Sequence, residues 1–275
     1  MTDRARAPAG SSTGGALRRI AAMLRDWVFY AYPLVLLVLL WEAANRLGLT
    51  RPLFLPSVPD VIRQFATMLV SGEIVGPLAL SLYRAFAGLA LATAFGVAIG
   101  LFMSRSRFAH WAFDPLVSIA LPTPKIAFVP IFILWFGIDS LSKILLVAFT
   151  CVLPMVVATY HGAVGVSRSV IWSAEAMGTS ESKMLYRVIL PACMPYIFSG
   201  VRVTTPVALI TAFTAEMIAG GGGVGANLMF AQRFFQTSTV FVDILVMLIT
   251  GFVFDSILLR LRDRLIPWQD EAERQ

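Results

Sequence analysis

The sequence predicts an all-α membrane protein, a polytopic bundle of about six transmembrane helices. Of its 275 residues, 58% are hydrophobic and only 14% are charged, whereas a soluble domain carries about 25% charged residues. The apolar residues also form runs of about 20, the length at which a helix spans a bilayer. A membrane barrel would instead need alternating segments of roughly ten residues, which the sequence does not contain.

The apolar runs give the boundaries of the predicted spans. By the criterion of about 20 residues, they cover 27–46, 78–103, 113–136, 141–160, 196–219 and 238–260. We therefore expect an N-terminal tail over 1–26, a transmembrane domain over 27–262 and a C-terminal tail over 263–275. The first tail contains no long apolar core, which argues against a cleaved signal peptide.

The distribution of Lys and Arg predicts the orientation, because these residues are retained in cytoplasmic loops. With the N-terminus inside, the inside segments hold fourteen of them and the outside segments five. We therefore expect both termini and the loop over 161–195 in the cytoplasm. The net charge of +6 then reflects this bias and contact with anionic membrane lipid, and it requires no nucleic-acid partner.

The second span carries a small residue at every fourth position. Gly88, Ala92, Gly96 and Gly100 fall on one helix face, and small residues at that spacing allow two helices to approach closely in lipid. The spacing predicts a packing face on this span.

The third span contains a charge near its middle. Lys125 lies about 18 Å into the span at 1.5 Å per residue, and it is flanked by three prolines that we expect to break the helix: Pro122, Pro124 and Pro130. A charge within a span is a candidate for function. One interpretation places Lys125, with Pro124 and Phe128, on a pathway for a small anion. The other pairs Lys125 structurally with a buried group such as Glu216, which lies about 30 Å into the fifth span.

The remaining charges within spans lie near span ends, where long side chains reach the interface. Arg84, Arg202 and Asp255 are assigned this simple role. The GGGGVG run at 220–225 lacks the lysine of a phosphate-binding loop, and we interpret it as a flexible turn outside the cell. Two histidines, His110 and His161, form no metal-ligand cluster.

A polar stretch, WSAEAMGTSESKMLYRVILP at 172–191, interrupts the apolar sequence. Its pattern predicts two short helices separated by a break. Ser169 is expected to cap the first helix, which runs to Met177, and Gly178 suits the position just after its end. Ser180 is expected to cap the second helix, and Pro191 to stop it.

The second predicted helix is amphipathic. Met184, Leu185, Val188 and Ile189 fall on one face, and Lys183, Tyr186 and Arg187 fall elsewhere. A DNA-reading helix-turn-helix is disfavoured, because the segment is nearly neutral and a nucleic-acid site needs a basic face. An amphipathic loop lying on the membrane and a protein-docking element both fit the pattern.

The polar stretch resembles the cytoplasmic signature loop of ABC importer permeases. That pattern is Glu-Ala-Ala, three residues, Gly, nine residues, then Ile-x-Leu-Pro. Here Gly178 is followed by nine residues and then Val-Ile-Leu-Pro at 188–191. Trp172, Ser173 and Ala174 stand at the Glu-Ala-Ala positions, so this sequence keeps only the final alanine and lacks the glutamate.

The resemblance extends along most of the chain, from about residue 50 to 265. It includes SLYRAFAGLALATAFGVAIGLFMS, PTPKIAFVPIFILWFG, LSKI and AEMIAG, which are similar to permeases that import nitrate, sulfonates, taurine and related nutrients. The resemblance implies a type I ABC importer permease fold in the inner membrane of a bacterium, with a pathway for a small, anionic nutrient. The pathway candidates are Lys125, Pro124, Phe128 and Glu216.

The resemblance also implies a division of labour between subunits. The loop acts as a coupling helix for a separate cytoplasmic ATP-binding subunit, so this chain is non-catalytic, holds no cofactor itself and leaves ATP to its partner. A substrate-binding protein outside and a second permease copy complete the assembly. The ATPase-contact residues so implied are Trp172, Ser173, Ala174, Glu175, Met177, Gly178, Thr179, Glu181, Leu190 and Pro191. The alternatives are an ATP-independent channel or secondary transporter, and a membrane scaffold that recruits a cytoplasmic partner.

Overall fold

The computed structural model describes residues 32–51 and 53–265, and every regular element in those ranges is a helix. The α-helices are α1 (32–46), α2 (Val58–Val70), α3 (Val75–Arg105), α4 (Arg107–Ala120), α5 (Val129–Phe136), α6 (Ser140–Val164), α7 (Arg168–Ala176), α8 (Glu181–Met184), α9 (Leu190–Ala219), α10 (Val224–Arg233) and α11 (Thr237–Leu265). A 3₁₀ turn, Lys125–Phe128, precedes α5, and a π-helical turn, Leu185–Ile189, precedes α9. The all-α class is confirmed. The predicted tail over 1–26 and most of the tail over 263–275 lie outside the described residues.

Four stretches are long and apolar enough to cross a membrane: Val75–Arg105, Ser140–Val164, Leu185–Ala219 and Thr237–Arg262. They correspond to predicted spans two, four, five and six. Predicted span three is not one straight helix, because α4 and the Lys125–Phe136 stretch meet at 93°. The break falls at Pro122 and Pro124, which agrees with the expected effect of proline. Of predicted span one, the described part is α1.

Helices α3 and α6 pack face to face through the predicted row of small residues. A Cβ added at Gly88 would meet the Val147 Cβ at 2.6 Å, and one added at Gly100 would meet the Thr159 Cβ at 2.7 Å. Because the contacts advance along both chains together, the two helices are parallel. Gly96 lies against Met155 between these points, so the prediction of a packing face is confirmed.

Helix α9 runs antiparallel to α6. Gly162 lies against Tyr196, and Gly200 against Ala158, so the contacts advance in opposite directions. The three helices therefore define two ends. The start of α3, the start of α6 and the end of α9 lie at one end, with the glycines of 220–223, and we call it the Gly-run end. The opposite end, with the 165–189 connection, is the loop end.

The described residues divide into two compact units, with the boundary between Ile62 and Arg63. Within the first unit, side chains of α1 bind the backbone just before α2. The Trp41 indole donates to the Pro56 carbonyl at 2.9 Å, and the Asn45 amide donates to the Leu55 carbonyl at 2.7 Å. Both features described below lie in the second unit.

Candidate functional site

Most of the polar stretch lies in the connection over residues 165–189, which we call the loop-end segment, and the break within it is a helix C-cap. Gly178 has φ of +75°, a conformation that an L side chain adopts only with strain. Its N–H donates to the Glu175 carbonyl at 2.9 Å, and the Thr179 N–H donates to the Ala174 carbonyl at 3.1 Å. This pair of bonds is the Schellman arrangement, so the predicted role of Gly178 is confirmed.

The start of the first helix differs from the prediction. Helix α7 begins at Arg168, with Ser167 in the cap position. The predicted cap, Ser169, lies inside the helix, where its carbonyl accepts a bond from the Ser173 hydroxyl at 2.8 Å. The expected cap at Ser169 is therefore wrong by two residues.

The expectation that Pro191 stops the second helix is wrong. It lies in the first turn of α9, and the chain continues from α8 through the π turn into that helix. In the π turn the Leu190 N–H bonds to the Leu185 carbonyl, five residues back instead of four. The wider turn comes just before Pro191. In an ordinary α-helix the proline ring would clash with the carbonyl four residues earlier, and proline has no N–H to donate to that carbonyl. The loop-end segment is thus joined to a membrane helix without a flexible linker.

The apolar stripe of this segment anchors it to the bundle. Met184 and Ile189 are buried in one cluster with Ala174 and with residues of α3, α6 and α9, and Leu185 and Val188 pack against it. Lys183, Tyr186 and Arg187 are exposed. The two predicted faces are therefore confirmed. The apolar face packs this segment against the three long helices.

The opposite side of the segment presents large apolar side chains to the surroundings. Trp172 is 63% exposed, Met177 79% and Tyr186 67%. Of the other predicted contact residues, Ser173, Glu175, Gly178, Glu181 and Pro191 are exposed, and Thr179 and Leu190 are half-buried. Ala174 is the exception. It is 4% exposed and faces its own bundle, so its small size serves packing within the chain, and its expected contact with a partner stays a prediction.

A buried ion pair lies at the Gly-run end. Arg84 of α3 donates from Nη1 to Glu216 Oε1 of α9 at 2.8 Å, with 2% and 0% of their side chains exposed. The second carboxylate oxygen accepts from the Ser81 hydroxyl at 2.7 Å and from the Gly225 N–H at 3.2 Å. Arg84 Nε also donates to the Ser140 hydroxyl at 3.1 Å. Buried charges require this degree of pairing, so the assignment of Arg84 as an interfacial side chain is wrong.

The same arginine holds the glycine run. Its guanidinium donates to the carbonyls of Gly221 and Gly222, each at 2.7 Å. All four glycines from 220 to 223 have positive φ, and a Cβ at Gly223 would collide with the Glu216 carboxylate. The run does form a turn after α9, as expected. The expectation of a flexible turn is wrong, because hydrogen bonds fix its carbonyls and the carboxylate excludes side chains.

Lys125 lies at the break between α4 and α5. Its ammonium donates to the Leu121 carbonyl at 2.6 Å, and the side chain is half-buried. Pro124 is exposed just before it, and Phe128 packs edge-on against Phe149 with ring centroids 5.4 Å apart. The structure thus brings together three of the four pathway candidates. The fourth, Glu216, pairs with Arg84 instead, which removes it as the structural partner of Lys125.

Two other charges within spans also pair. Arg202 of α9 lies 3.5 Å from the Asp255 carboxylate of α11, and both side chains are partly exposed. Their partial exposure is compatible with the interfacial role assigned to each, and their pairing with one another was not predicted. The sequence does signal that charges within the spans need partners, because residues of both signs occur there. It does not show which positive residue pairs with which negative one.

The sequence matches a family model described as the binding-protein-dependent transport system inner membrane component, over residues 92–267. Among curated relatives, a putative aliphatic sulfonates transport permease protein of Bacillus subtilis (strain 168) is 32% identical over 86% of this chain and 86% of its own length. The taurine transport system permease protein of Escherichia coli (strain K12) is 32% identical over 87% of this chain and 89% of its own.

Solved structures share the fold at low sequence identity. One is a crystal structure of an amino acid ABC transporter with histidines, with TM-score 0.60 and 15% identity over 73% of this chain and 98% of that one. Another shows inward-facing conformations of the MetNI methionine ABC transporter, with TM-score 0.59 and 15% identity over 68% of this chain and 94% of that one. Together with the helical architecture, the family match and these relatives show that the chain belongs to the binding-protein-dependent transport system inner membrane components, the permease subunits of ABC importers.

Proposed function

We propose that the chain is the membrane-spanning subunit of an ATP-driven importer for a small sulfonate-type anion. Two copies enclose the pathway, ATP is hydrolysed on a separate subunit, and a substrate-binding protein delivers the cargo. The relatives that are named as aliphatic sulfonate and taurine permeases support this substrate class. Both termini lie in the cytoplasm, so the loop end faces the ATPase and the Gly-run end faces outside.

The observation that carries the proposal is that the loop-end segment has one face buried in the bundle and one face exposed. One side is buried in the bundle through Met184 and Ile189. The other exposes Trp172, Met177 and Tyr186, and exposed aromatic residues and Met are typical of protein interfaces. A partner that pushes on the exposed side acts on α9 directly, because the π turn leaves no loop between them.

The fixed shape of the loop-end segment favours a docking element over a loop that lies on the membrane. Gly178 sits at the exposed tip with its backbone in the Schellman cap. A capped helix end keeps a fixed shape under load, and only a fixed shape transmits displacement. The glutamate of the family pattern is absent, and the indole of Trp172 stands at its position. We infer that the contact with the ATPase here is predominantly apolar.

The Lys125 turn is the proposed anion contact along the pathway. Its ammonium lies at a break that also frees backbone carbonyls, and non-helical backbone at membrane depth is tolerated where it lines a cavity or is buried in protein. The Leu121 carbonyl bonded to it is a neutral partner, so the lysine keeps its positive charge available to an anion.

Copurification and transport together test the proposed function. The tagged permease is purified from native membranes, examined for a Walker-motif ATPase, and reconstituted with that ATPase and its binding protein for uptake of labelled ethanesulfonate. We expect ATP-dependent uptake, and we expect Trp172→Ala to lose the ATPase. Trp135→Ala is the matched control, because Trp135 is 69% exposed but lies on α5, next to the start of α6 at the Gly-run end.

Uptake that follows an ion gradient without ATP contradicts this function and favours a secondary transporter. An associated cytoplasmic protein without any uptake favours the scaffold. An ATPase that remains bound to Trp172→Ala contradicts the assignment of the docking surface while leaving the transport function in place.

A further inference from the structure

A cavity lies beside the Arg84–Glu216 pair at the Gly-run end. It has a volume of about 350 Å³ and lies between the end of α9 and α10. Its lining includes Gly220, Gly221, Met217, Met229, Phe230 and Arg233. The volume falls in the range of small-molecule sites, roughly 300–1,000 Å³, and we call it the Arg233 cavity.

The charge of this cavity is positive. Arg233 is exposed at the end of α10, and no carboxylate within residues 32–51 and 53–265 forms an ion pair with it. The one carboxylate of the lining belongs to Glu216, whose two oxygens are bonded to Arg84, Ser81 and Gly225. The acid therefore does not neutralise Arg233, and the guanidinium presents several N–H donors in a plane that matches an oxoanion.

The rest of the wall is apolar and adaptable. Met217 and Met229 are half-buried, and Phe230 is exposed with its ring 4.6 Å from that of Phe234. Methionine fills irregular gaps and tolerates ligands of different shape. A short alkyl chain therefore finds apolar contact beside the arginine.

We propose that the Arg233 cavity binds a small alkyl oxoanion, an alkyl sulfonate, with the sulfonate on Arg233 and the alkyl chain against Met217, Met229 and Phe230. The inference rests on the proposed function, which places the Gly-run end outside, where cargo arrives. It adds a receiving site in the permease itself, ahead of the Lys125 turn. Cargo released by the binding protein is held there before it enters the pathway.

Direct binding tests the site without the binding protein. The permease–ATPase complex in lipid nanodiscs is titrated with labelled ethanesulfonate and hexanesulfonate. We expect saturable binding that Arg233→Gln weakens by about tenfold or more, since a hydrogen bond to a charged group contributes that much. Arg233→Lys retains part of the affinity. Arg51→Gln, which removes one exposed positive charge elsewhere, leaves the affinity unchanged, and Met229→Asn reduces the preference for the longer chain.

Three results overturn the inference, and each is distinct from failure of the proposed function. Absence of ethanesulfonate binding in a wild-type complex that shows ATP-dependent uptake removes the cavity and leaves the importer. Equal affinity of wild type and Arg233→Gln also removes it. Arg233→Gln that loses the binding protein but still binds ethanesulfonate shows that Arg233 is a docking residue. Binding at Arg233 without any ATP-dependent uptake would instead support the cavity and contradict the importer.

Discussion

Arg84 and Glu216 form a buried ion pair across two membrane helices, although 132 positions separate them in the chain. The pair joins the first third of α3 to the end of α9, and the arginine extends the link to the carbonyls of the glycine run. It is therefore the main polar connection that we identify at the Gly-run end.

Removing one member of this pair is expected to destabilise the protein strongly. Glu216→Ala leaves the Arg84 guanidinium buried without its carboxylate, and such a loss costs about 3–5 kcal/mol. The measurement is unfolding of the purified protein in detergent. Asp255→Asn is the matched control, because its ion pair with Arg202 is partly exposed and such pairs contribute about 1 kcal/mol or less. Equal effects of the two substitutions contradict the structural role of the buried pair.

Gly96→Ala is expected to weaken the packing of α3 on α6. The new methyl group would overlap the Cβ of Met155, and overpacking of this kind costs about 1–3 kcal/mol. Gly76→Ala in the same helix has nothing within 4 Å of the added carbon and serves as the control. Thermal unfolding of both variants in detergent measures the difference. Equal unfolding temperatures would show that the close contact of the two helices is wrong.

Gly178→Ala is expected to uncouple transport from ATP hydrolysis. The left-handed backbone at this position costs an L residue about 1–2 kcal/mol, so the cap at the exposed tip relaxes and its shape changes. The measurement is ATP hydrolysed per ethanesulfonate imported by the reconstituted complex, which we expect to rise. Gly178→Asn tolerates this backbone better and is expected to recover coupling. Failure of Asn to differ from Ala contradicts the role of backbone conformation.

Lys125→Met is expected to lower anion uptake by about tenfold, the effect of losing roughly 1.4 kcal/mol of favourable interaction. The ammonium is bonded to a neutral carbonyl, so its loss leaves no buried charge behind and the protein is expected to fold. Uptake of labelled ethanesulfonate, normalised to the amount of permease in the membrane, measures the effect. Lys125→Arg keeps the charge and is expected to retain most activity. Normal uptake by Lys125→Met at unchanged abundance contradicts the pathway role.

Local rules were sufficient for features that depend on neighbours in the chain. The packing row from Gly88 to Gly100, the cap at Gly178 and the break at Pro122 and Pro124 follow from residue type and spacing. Local rules failed at Pro191. The rule that proline ends a helix assumes the regular hydrogen bonds of an α-helix, and the adjacent π turn changes their register. Ala174 shows a second limit, since a small residue suits close packing on either side of a helix.

The sequence by itself determined the helical membrane architecture, the break in the third span and the two-faced segment at the loop end. Each follows from hydrophobic length, periodicity or backbone preference, which act over a few turns. Only the tertiary structure decided that Arg84 meets Glu216 and that Arg233 faces a cavity without a carboxylate partner among the described residues. Which charges pair depends on the depth of each helix in the membrane, on its rotation about its own axis and on which helices it packs against. The local sequence determines none of these. The low dielectric of the membrane interior makes such pairing necessary, but the fold selects the partner.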